Sequence, residues 1–411
     1  MYRDRDIVSQ ANRYIDSDYI MIFTGARQTG KTTILKHLYE KAQSGNQKAH
    51  FITLEDFDYL SLLNESPKNL LSIVGLDVKE RVTVFIDEIQ YLNHPTNFLK
   101  YYYDEYKDKI KLIVSGSSAF YLDSKFADSL AGRKRIFQVY PLSFSEFLLF
   151  KDELALWKKF KQSVNLDNLG LDHFNKIEQR QFQLRIDEYI RFGGYPRVVL
   201  ESDHQEKQAI LRDLVESFIK KDILEAAVNY PDKFLQLLRL LASQIGGLVN
   251  KNELANTLGL STTAIENYLS IMLRSFHIVL IPPYFANLRK ELTKQQKVYF
   301  YDLGLRNLLI RNFDLADLRP DRGEVYENFI FRELLEHTRL DQIKFWRTQN
   351  KNEVDFIIGD THAFEAKYNI STFSLSKYRL FRETYPDMRF NVVYHTGAND
   401  KEITDIRLCQ F

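Results

Sequence analysis

The sequence predicts an α/β protein whose amino-terminal part is a parallel sheet built around a phosphate-binding loop. Short apolar segments that end in polar residues alternate with helix-forming segments over residues 1–150, as in parallel sheets with helical crossovers. One connection, Gly25-Ala26-Arg27-Gln28-Thr29-Gly30-Lys31-Thr32-Thr33, fills the pattern glycine, four residues, glycine-lysine-threonine. Another apolar segment ends in the adjacent carboxylates Asp87 and Glu88. Together these features predict the core of a P-loop nucleoside triphosphatase.

The loop has the flanking elements that phosphate binding requires. Residues 19–23 predict a short buried strand, and the segment from Ile34 onward predicts a helix. A strand that turns into a helix in this way directs backbone N–H groups and the helix dipole at one point, where an anion binds. We expect Lys31 to neutralise the β- and γ-phosphates of ATP, Thr32 to hold Mg²⁺ and Thr33 to reach the α-phosphate.

The acidic pair supplies the second part of this chemistry. It follows a predicted strand over residues 82–86. Asp87 is expected in the Mg²⁺ shell opposite Thr32, and Glu88 is expected to polarise the attacking water. The alternative is an acidic pair that only caps the next helix.

Two serines follow the next predicted strand, residues 110–114. Ser115 and Ser117 are both candidates for a hydroxyl that contacts the γ-phosphate, and the sequence does not choose between them. A serine turn that caps the following helix is an equal alternative.

A basic segment, residues 133–135, precedes a predicted fifth strand at residues 136–140. Arg133 follows Gly132 and is the candidate for an arginine that reaches the γ-phosphate, in its own subunit or in a neighbouring one of a homo-oligomer. The alternative is a solvated basic face.

The overall composition limits the class of protein. The chain has 411 residues, a formal net charge of +1 and a single cysteine, Cys409. The length predicts two to four domains, and the charge gives no overall nucleic-acid signature. One cysteine excludes an internal disulfide framework and a cysteine-cluster zinc site. No apolar run reaches the length of a membrane span, so we expect a cytoplasmic protein that does not contact a membrane.

Several motifs resemble a large prokaryotic family of AAA-type ATPases with a C-terminal domain of unknown function. They are the loop Gly25–Thr33 and the segments 85–90, 130–133, 140–147 and 193–196. The resemblance implies a five-stranded parallel core and ATP as its ligand, and it implies no particular biological substrate.

The remainder of the chain predicts three further regions: a helical lid or connector at 151–240, a winged helix-turn-helix at 241–315 and an α/β domain at 316–411. In the second region Gly259 supplies the turn and Ser261 caps the second helix. The predicted wing carries four basic residues that favour phosphate contact, namely Arg289, Lys290, Lys294 and Lys297. Winged helices also dock proteins, so both partners remain open.

The last region has its own set of charged residues. Asp355 lies on a predicted hairpin strand, Glu365 and Lys367 lie on the next strand and face the same side, and Glu327 lies on a preceding helix. This pattern resembles the restriction-endonuclease-like fold. It implies a Mg²⁺ site at Glu327, Asp355 and Glu365 with Lys367 beside the attacking water. The alternatives are a charged sheet edge and a nuclease fold without activity.

The sequence therefore predicts a Mg²⁺-dependent ATPase that acts on DNA or nucleoprotein and carries a candidate nuclease site. One alternative is an ATP-switched regulator or adaptor that binds DNA or protein and cleaves nothing. In another, the nucleotide only stabilises the fold. Glu88 argues against the latter, because a purely structural nucleotide needs no water-activating base.

Overall fold

The computed structural model describes residues 2–75, 81–117, 130–171, 174–225, 228–285, 294–397 and 407–411. The chain forms two compact units, Met1–Tyr140 with Arg274–Phe276 and Pro141–Leu273 with His277–Phe411. The predicted divisions at residues 150, 240 and 315 stay predictions. Within the described ranges, no helix combines the length and apolarity needed to cross a membrane.

The first unit alternates strands and helices along the chain. Its elements are α1 (Asp6–Asn12), β1 (Ile20–Gly25), α2 (Lys31–Ser44), β2 (Ala49–Thr53), α3 (Phe57–Glu65), α4 (Asn69–Val74), β3 (Val82–Asp87), α5 (Pro95–Tyr106), β4 (Ile110–Ser117) and β5 (Lys134–Gln138).

The five strands form one parallel sheet in the order β2-β3-β4-β1-β5. Alternate side chains of β1 enter two separate cores: Ile20 and Ile22 pack on one face of the sheet, and Met21 and Phe23 pack on the other. All of β1 is buried, as expected for a central parallel strand covered on both faces. The predicted α/β fold class with a five-stranded parallel core is confirmed.

The second unit begins with helices. They are α6 (Phe144–Phe150), α7 (Leu154–Ser163), α8 (Lys176–Phe192), α9 (Pro196–Leu200), α10 (His204–Glu225), α11 (Pro231–Ser243), α12 (Lys251–Leu258) and α13 (Thr262–Arg274). Between α12 and α13, Gly259 adopts φ +63° and the Ser261 hydroxyl accepts the Ala264 N–H at 3.1 Å. Both residues thus take the turn and cap positions expected of a helix-turn-helix.

An antiparallel pair, β6 (Ile278–Ile281) and β7 (Lys297–Phe300), follows. The chain continues with α14 (Leu303–Ile310), α15 (Arg322–His337), β8 (Ile343–Arg347), β9 (Glu353–Ile358), β10 (His362–Asn369), α16 (Arg379–Thr384), β11 (Arg389–Thr396) and β12 (Arg407–Gln410). The C-terminal strands form a mixed sheet in the order β12-β11-β10-β9-β8. The predicted order α-β-β-β-α-β is present, and β12 extends it.

The segment Gly193–Pro196 joins α8 to α9 and contacts the start of α14. A Cβ atom on Gly193 would lie 2.2 Å from Asp302 Oδ1, and the backbone there has φ +74°, so only glycine fits. The Gly194 N–H donates to Asp302 Oδ2 at 2.7 Å, and Asp302 also caps α14 through the Leu305 N–H. Burial raises the pKa of Asp302 to about 6. The motif thus fixes a helix junction.

The pair β6–β7 is not an exposed wing. All four residues of β7 are buried, and Asn328 of α15 exchanges two hydrogen bonds with the backbone of Phe300, at 2.8 and 2.9 Å. Lys297 is 1% exposed, so the expectation that it contacts phosphate is wrong. Lys294 is exposed, and Arg289 and Lys290 lie outside the described residues.

Candidate functional site

The phosphate-binding loop joins the carboxyl end of β1 to the start of α2. Gly30 caps α2 with φ +98°, a left-handed conformation that lets the loop turn into the helix. The Lys31 Nζ donates to the carbonyls of Gly25 at 3.1 Å and Ala26 at 2.8 Å. Lys31 therefore folds over the loop, and it is only 6% exposed. Thr32 is half-buried and Thr33 is exposed at the first turn of α2.

Asp87 ends β3, and Ser115 lies two residues before the end of the neighbouring strand β4. Ile86 pairs with Val114 in the register of β3 and β4, so the next residue on each strand lies side by side. The Ser115 hydroxyl donates to Asp87 Oδ1. Because β4 also pairs with β1 and strands lie about 4.8 Å apart, Asp87 lies about 10 Å across the sheet from the start of the loop.

Glu88 adopts an unusual backbone conformation, with φ 58° and ψ 47°. Such a left-handed conformation costs about 1 kcal/mol or more in a non-glycine residue, and it is concentrated at functional sites. The Glu88 N–H donates to the Ser115 hydroxyl at 3.3 Å, and Gln90 Nε2 donates to Glu88 Oε2. The side chain is thus oriented by a residue two positions away.

The donor set at this edge suits Mg²⁺. Asp87 is 3% exposed and offers a carboxylate, and Thr32 offers a hydroxyl; both are hard oxygen donors. Mg²⁺ at nucleotide sites usually takes only one or two protein ligands, together with phosphate oxygens and water. Asp87 and Thr32 are therefore the residues that would hold it. Ser117 pairs with Gly25 through the backbone, and its side chain is outside the structural description.

Arg5 is a loop contact that the sequence reasoning missed. Its Nη1 donates to the Thr29 carbonyl at 2.8 Å and its Nη2 to the Tyr140 carbonyl at 2.9 Å. Thr29 in turn donates through its hydroxyl to the Ala26 carbonyl at 2.9 Å. Arg5 thus ties the loop to the chain that follows β5. No local pattern marks it, because its partners are 24 and 135 residues away.

Arg133 lies at the opposite edge of the sheet from the loop. Its carbonyl accepts the N–H of Ile20, the first residue of β1, whereas the loop begins at Gly25. At about 3.3 Å per residue, this separation is roughly 16 Å. The Arg133 Nε donates to Asp104 at 2.8 Å. This separation favours a role at a neighbour's nucleotide over one at the nucleotide of its own subunit, and both roles stay predictions.

In the second unit, a buried lysine lies at the centre of the predicted metal cluster. Lys297 Nζ is 2.9 Å from Glu327, 2.6 Å from Glu353 and 3.4 Å from Asp355. Tyr299 also donates to Glu327. Neither Lys297 nor Glu353 was predicted at this site, since only the folded chain brings β7, α15 and β9 together.

Glu365 and Lys367 form a separate pair with each other. Tyr378 donates to Glu365 Oε1 at 2.7 Å, while Glu365 Oε2 is buried without a hydrogen-bond partner. Asp355 Oδ2 accepts the Ala366 N–H at 3.0 Å. Across the part of the chain that the structure describes, no three His, Cys, Asp or Glu residues are grouped to hold a metal. The expected Mg²⁺ site at Glu327, Asp355 and Glu365 is therefore not assembled.

The protonation of these groups follows from their burial. Burial and the nearby Asp355 raise the pKa of Glu327 to about 7, against the effect of Lys297. Burial and Asp355 likewise raise the pKa of Glu365 to about 8. For Lys297, burial favours the neutral amine, but the surrounding carboxylates outweigh it and hold the pKa well above its ordinary value. Lys297 is thus a buried cation at neutral pH.

Three family models match successive parts of the chain. Residues 17–148 match an AAA domain, residues 183–316 match the domain of unknown function DUF8612, and residues 322–410 match the domain of unknown function DUF4143. These matches confirm the resemblance to AAA-type proteins with a C-terminal domain of unknown function.

The similar curated proteins are uncharacterized. One from Methanocaldococcus jannaschii is 28% identical over 74% of this chain and 66% of its own length. A second from the same archaeon is 26% identical over 82% of this chain and 72% of its length. One from Haemophilus influenzae is 25% identical over 87% of this chain and 84% of its own length. The chain thus spans about two thirds to five sixths of these relatives.

Among solved structures, Thermotoga maritima RuvB is similar with a TM-score of 0.33 and 16% identity, over 67% of this chain and 86% of RuvB. Cdc6p from Pyrobaculum aerophilum gives a TM-score of 0.31 and 13% identity, over 77% of this chain and 97% of Cdc6p. DnaA from Aquifex aeolicus gives a TM-score of 0.29 and 16% identity, over 64% of this chain and 84% of DnaA.

Proposed function

We propose that this chain, which belongs to a family of prokaryotic proteins with an AAA domain and a C-terminal domain of unknown function, is a Mg²⁺-dependent ATPase. The observation that carries the proposal is that one end of the sheet bears the loop after β1 and, two strands away, Asp87 and Glu88 at the end of β3. Lys31 would exchange its two carbonyl partners for phosphate oxygens, which are stronger acceptors because they are charged. Glu88 would orient the attacking water, and Mg²⁺ held by Thr32 and Asp87 would neutralise developing charge.

The test measures ATP binding and hydrolysis on the full chain. Lys31→Ala should weaken binding of a fluorescent ATP analogue by about tenfold or more, since a charge-assisted contact is lost. Glu88→Gln should retain binding and lose hydrolysis by about 10²-fold or more, the usual contribution of a general base. Lys36→Ala, an exposed lysine of α2, is the matched control. Parental hydrolysis by Glu88→Gln would disprove the assignment of the base.

Nucleic-acid contact is the second part of the proposal. It rests on the first two turns of α13, where Thr262, Thr263 and Asn267 are exposed and are able to bond bases or phosphates. The exposed Lys294 adds one positive charge. Binding to a labelled 30-base-pair duplex should weaken with salt. If the duplex does not bind even at 50 mM salt, nucleic-acid contact is rejected and α13 is expected to bind a protein instead.

Nuclease activity is not included, because two of the carboxylates expected to bind the metal, Glu327 and Asp355, pair with Lys297, and Glu365 pairs with Lys367. An ATP-switched regulator or adaptor is consequently the function we favour over a metal-dependent nuclease. A panel of DNA and RNA substrates with Mn²⁺ and ATP distinguishes the two. Cleavage that Asp355→Ala removes would restore the nuclease hypothesis.

A further inference from the structure

The carboxylates of the C-terminal domain surround an ammonium group in the position expected for a metal ion. Glu327 comes from α15, Glu353 and Asp355 come from β9, and the ammonium comes from Lys297 on β7. An ammonium has three N–H donors and no acceptor. Two of these donors bond Glu327 at 2.9 Å and Asp355 at 3.4 Å, and Glu353 forms a third ion pair with the ammonium at 2.6 Å.

A divalent ion does not fit beside this ammonium. Mg²⁺ requires oxygen ligands at about 2.0–2.1 Å in octahedral geometry, and the same oxygens already face Lys297. A second cation in the cluster would also be repelled at short range inside a buried site, where charges interact more strongly than in water. The residues present thus do not fit the metal that the fold resemblance implies.

Lys297 is fixed in this position. Tyr299, two residues along β7, donates to Glu327 as well, and Phe300 exchanges two backbone hydrogen bonds with Asn328. A Lys297 side chain that is 1% exposed has no access to solvent without movement of β7 or α15. It therefore differs from a surface lysine that a metal could displace.

The other half of the expected motif is engaged separately. Lys367 pairs with Glu365, and Tyr378 donates to the same Glu365 oxygen. The two lysines thus divide the acidic residues between them. Asp355 is near both groups but uses one oxygen for the Ala366 N–H.

We propose that Lys297 supplies the positive charge that a divalent metal would supply, and that it closes this carboxylate site to metal. The site would then be a metal-free junction that holds β7, α15 and β9 together. Glu327, Glu353 and Asp355 are not grouped to hold a metal while Lys297 lies among them. Removal of the lysine would leave three buried carboxylates without their cation, and we expect them to close on a hard divalent cation in its place.

The experiment measures Mn²⁺ binding to the full chain without nucleotide, by electron paramagnetic resonance and by melting temperature. The parent and its Asp355→Asn variant should bind Mn²⁺ equally. Lys297→Met should melt several degrees lower in EDTA, and Mn²⁺ should recover that loss with a dissociation constant of about 0.1 mM or below. Adding Asp355→Asn to Lys297→Met should remove the recovery. Lys377→Met, an exposed lysine of the same domain, should match the parent.

Two results would overturn the proposal. One is Mn²⁺ binding by the parent that Asp355→Asn abolishes, which would mean that metal and lysine coexist. The other is a folded Lys297→Met variant that binds no additional Mn²⁺. If Lys297→Met cannot be obtained folded, the parent and Asp355→Asn decide alone: equal Mn²⁺ binding supports the proposal, and a difference rejects it.

Discussion

The Ser115 hydroxyl donates a hydrogen bond to the Asp87 carboxylate between two adjacent strands, β4 and β3. The Ser115 Oγ also accepts the Glu88 N–H at 3.3 Å. One side chain thus orients the residue expected to hold Mg²⁺ and the backbone of the residue expected to activate water. We therefore propose that Ser115 positions Asp87 and Glu88, and that β4 contributes to the site in this way.

Ser115→Ala should therefore raise the Mg²⁺ concentration that hydrolysis requires more than it weakens ATP binding. Asp87 would lose its donor while staying buried, at a cost of about 1–3 kcal/mol. We expect the Mg²⁺ concentration for half-maximal ATP hydrolysis to rise severalfold, with ATP affinity retained. Steady-state hydrolysis over a Mg²⁺ titration measures this, and Ser44→Ala in α2 serves as control. An unchanged Mg²⁺ dependence would show that Ser115 does not position Asp87.

Arg133→Ala should leave ATP affinity unchanged in a monomeric sample, because Arg133 lies at the edge of the sheet opposite the loop. Equilibrium binding of a fluorescent ATP analogue, with light scattering to establish the mass, measures this. A loss of affinity in the monomer would contradict the geometry. Hydrolysis per subunit that rises with protein concentration, and loses that rise in Arg133→Ala, would instead place Arg133 at a neighbour's nucleotide.

The elements of the nucleotide site were predictable because their determinants are local. The loop motif occupies nine consecutive residues, and Asp87 is the last residue of the strand that places it. The strands over residues 110–114 and 82–86 were also predicted, since buried parallel strands are continuous apolar runs. Their observed ends, Ser117 and Asp87, extend only slightly further.

The contacts that were missed depend on distant parts of the chain. Lys297 is 30 residues from Glu327 and 58 from Asp355, and its neighbours Lys294 and Arg289 favoured the interpretation of a basic wing. Nothing in the sequence distinguishes a lysine that points to solvent from one that enters a core. The metal hypothesis did not anticipate Lys297 for the same reason: the motif fixes which residues are acidic, and not which cation they face.

Arg5→Ala should weaken ATP binding although Arg5 lies outside the loop motif. Two hydrogen bonds from a buried guanidinium to the Thr29 and Tyr140 carbonyls would be lost, and the loop would be less well ordered before binding. We expect about a tenfold rise in the dissociation constant for ATP, which corresponds to about 1.4 kcal/mol. Arg13→Ala, at an exposed position after α1, is the control. Equal affinities in both variants would show that Arg5 does not stabilise the loop.

A buried carboxyl in α15 gives a pH-dependent prediction for the second unit. Glu333 is 1% exposed, and its Oε1 has no hydrogen-bond partner. Burial, assisted by Glu336, raises its pKa from 4.5 to about 8, against the opposing effect of Arg332. The folded chain therefore keeps Glu333 protonated at pH values where the unfolded chain releases the proton.

A raised carboxyl pKa lowers stability as the pH rises. The stability that Glu333 contributes is complete below pH 4.5, and it is lost progressively up to the folded pKa of about 8. The loss is at most about 1.4 kcal/mol per pH unit in that range. Glu333→Gln removes the titration and keeps a neutral polar group of similar shape. Its melting temperature relative to the parent should therefore increase from pH 5 to pH 8 and then level off.

Glu324→Gln, at an exposed position of the same helix, is the control and should show no such trend. Calorimetry across this pH range measures both variants, and a constant difference between Glu333→Gln and the parent would mean that Glu333 is ionised in the folded protein.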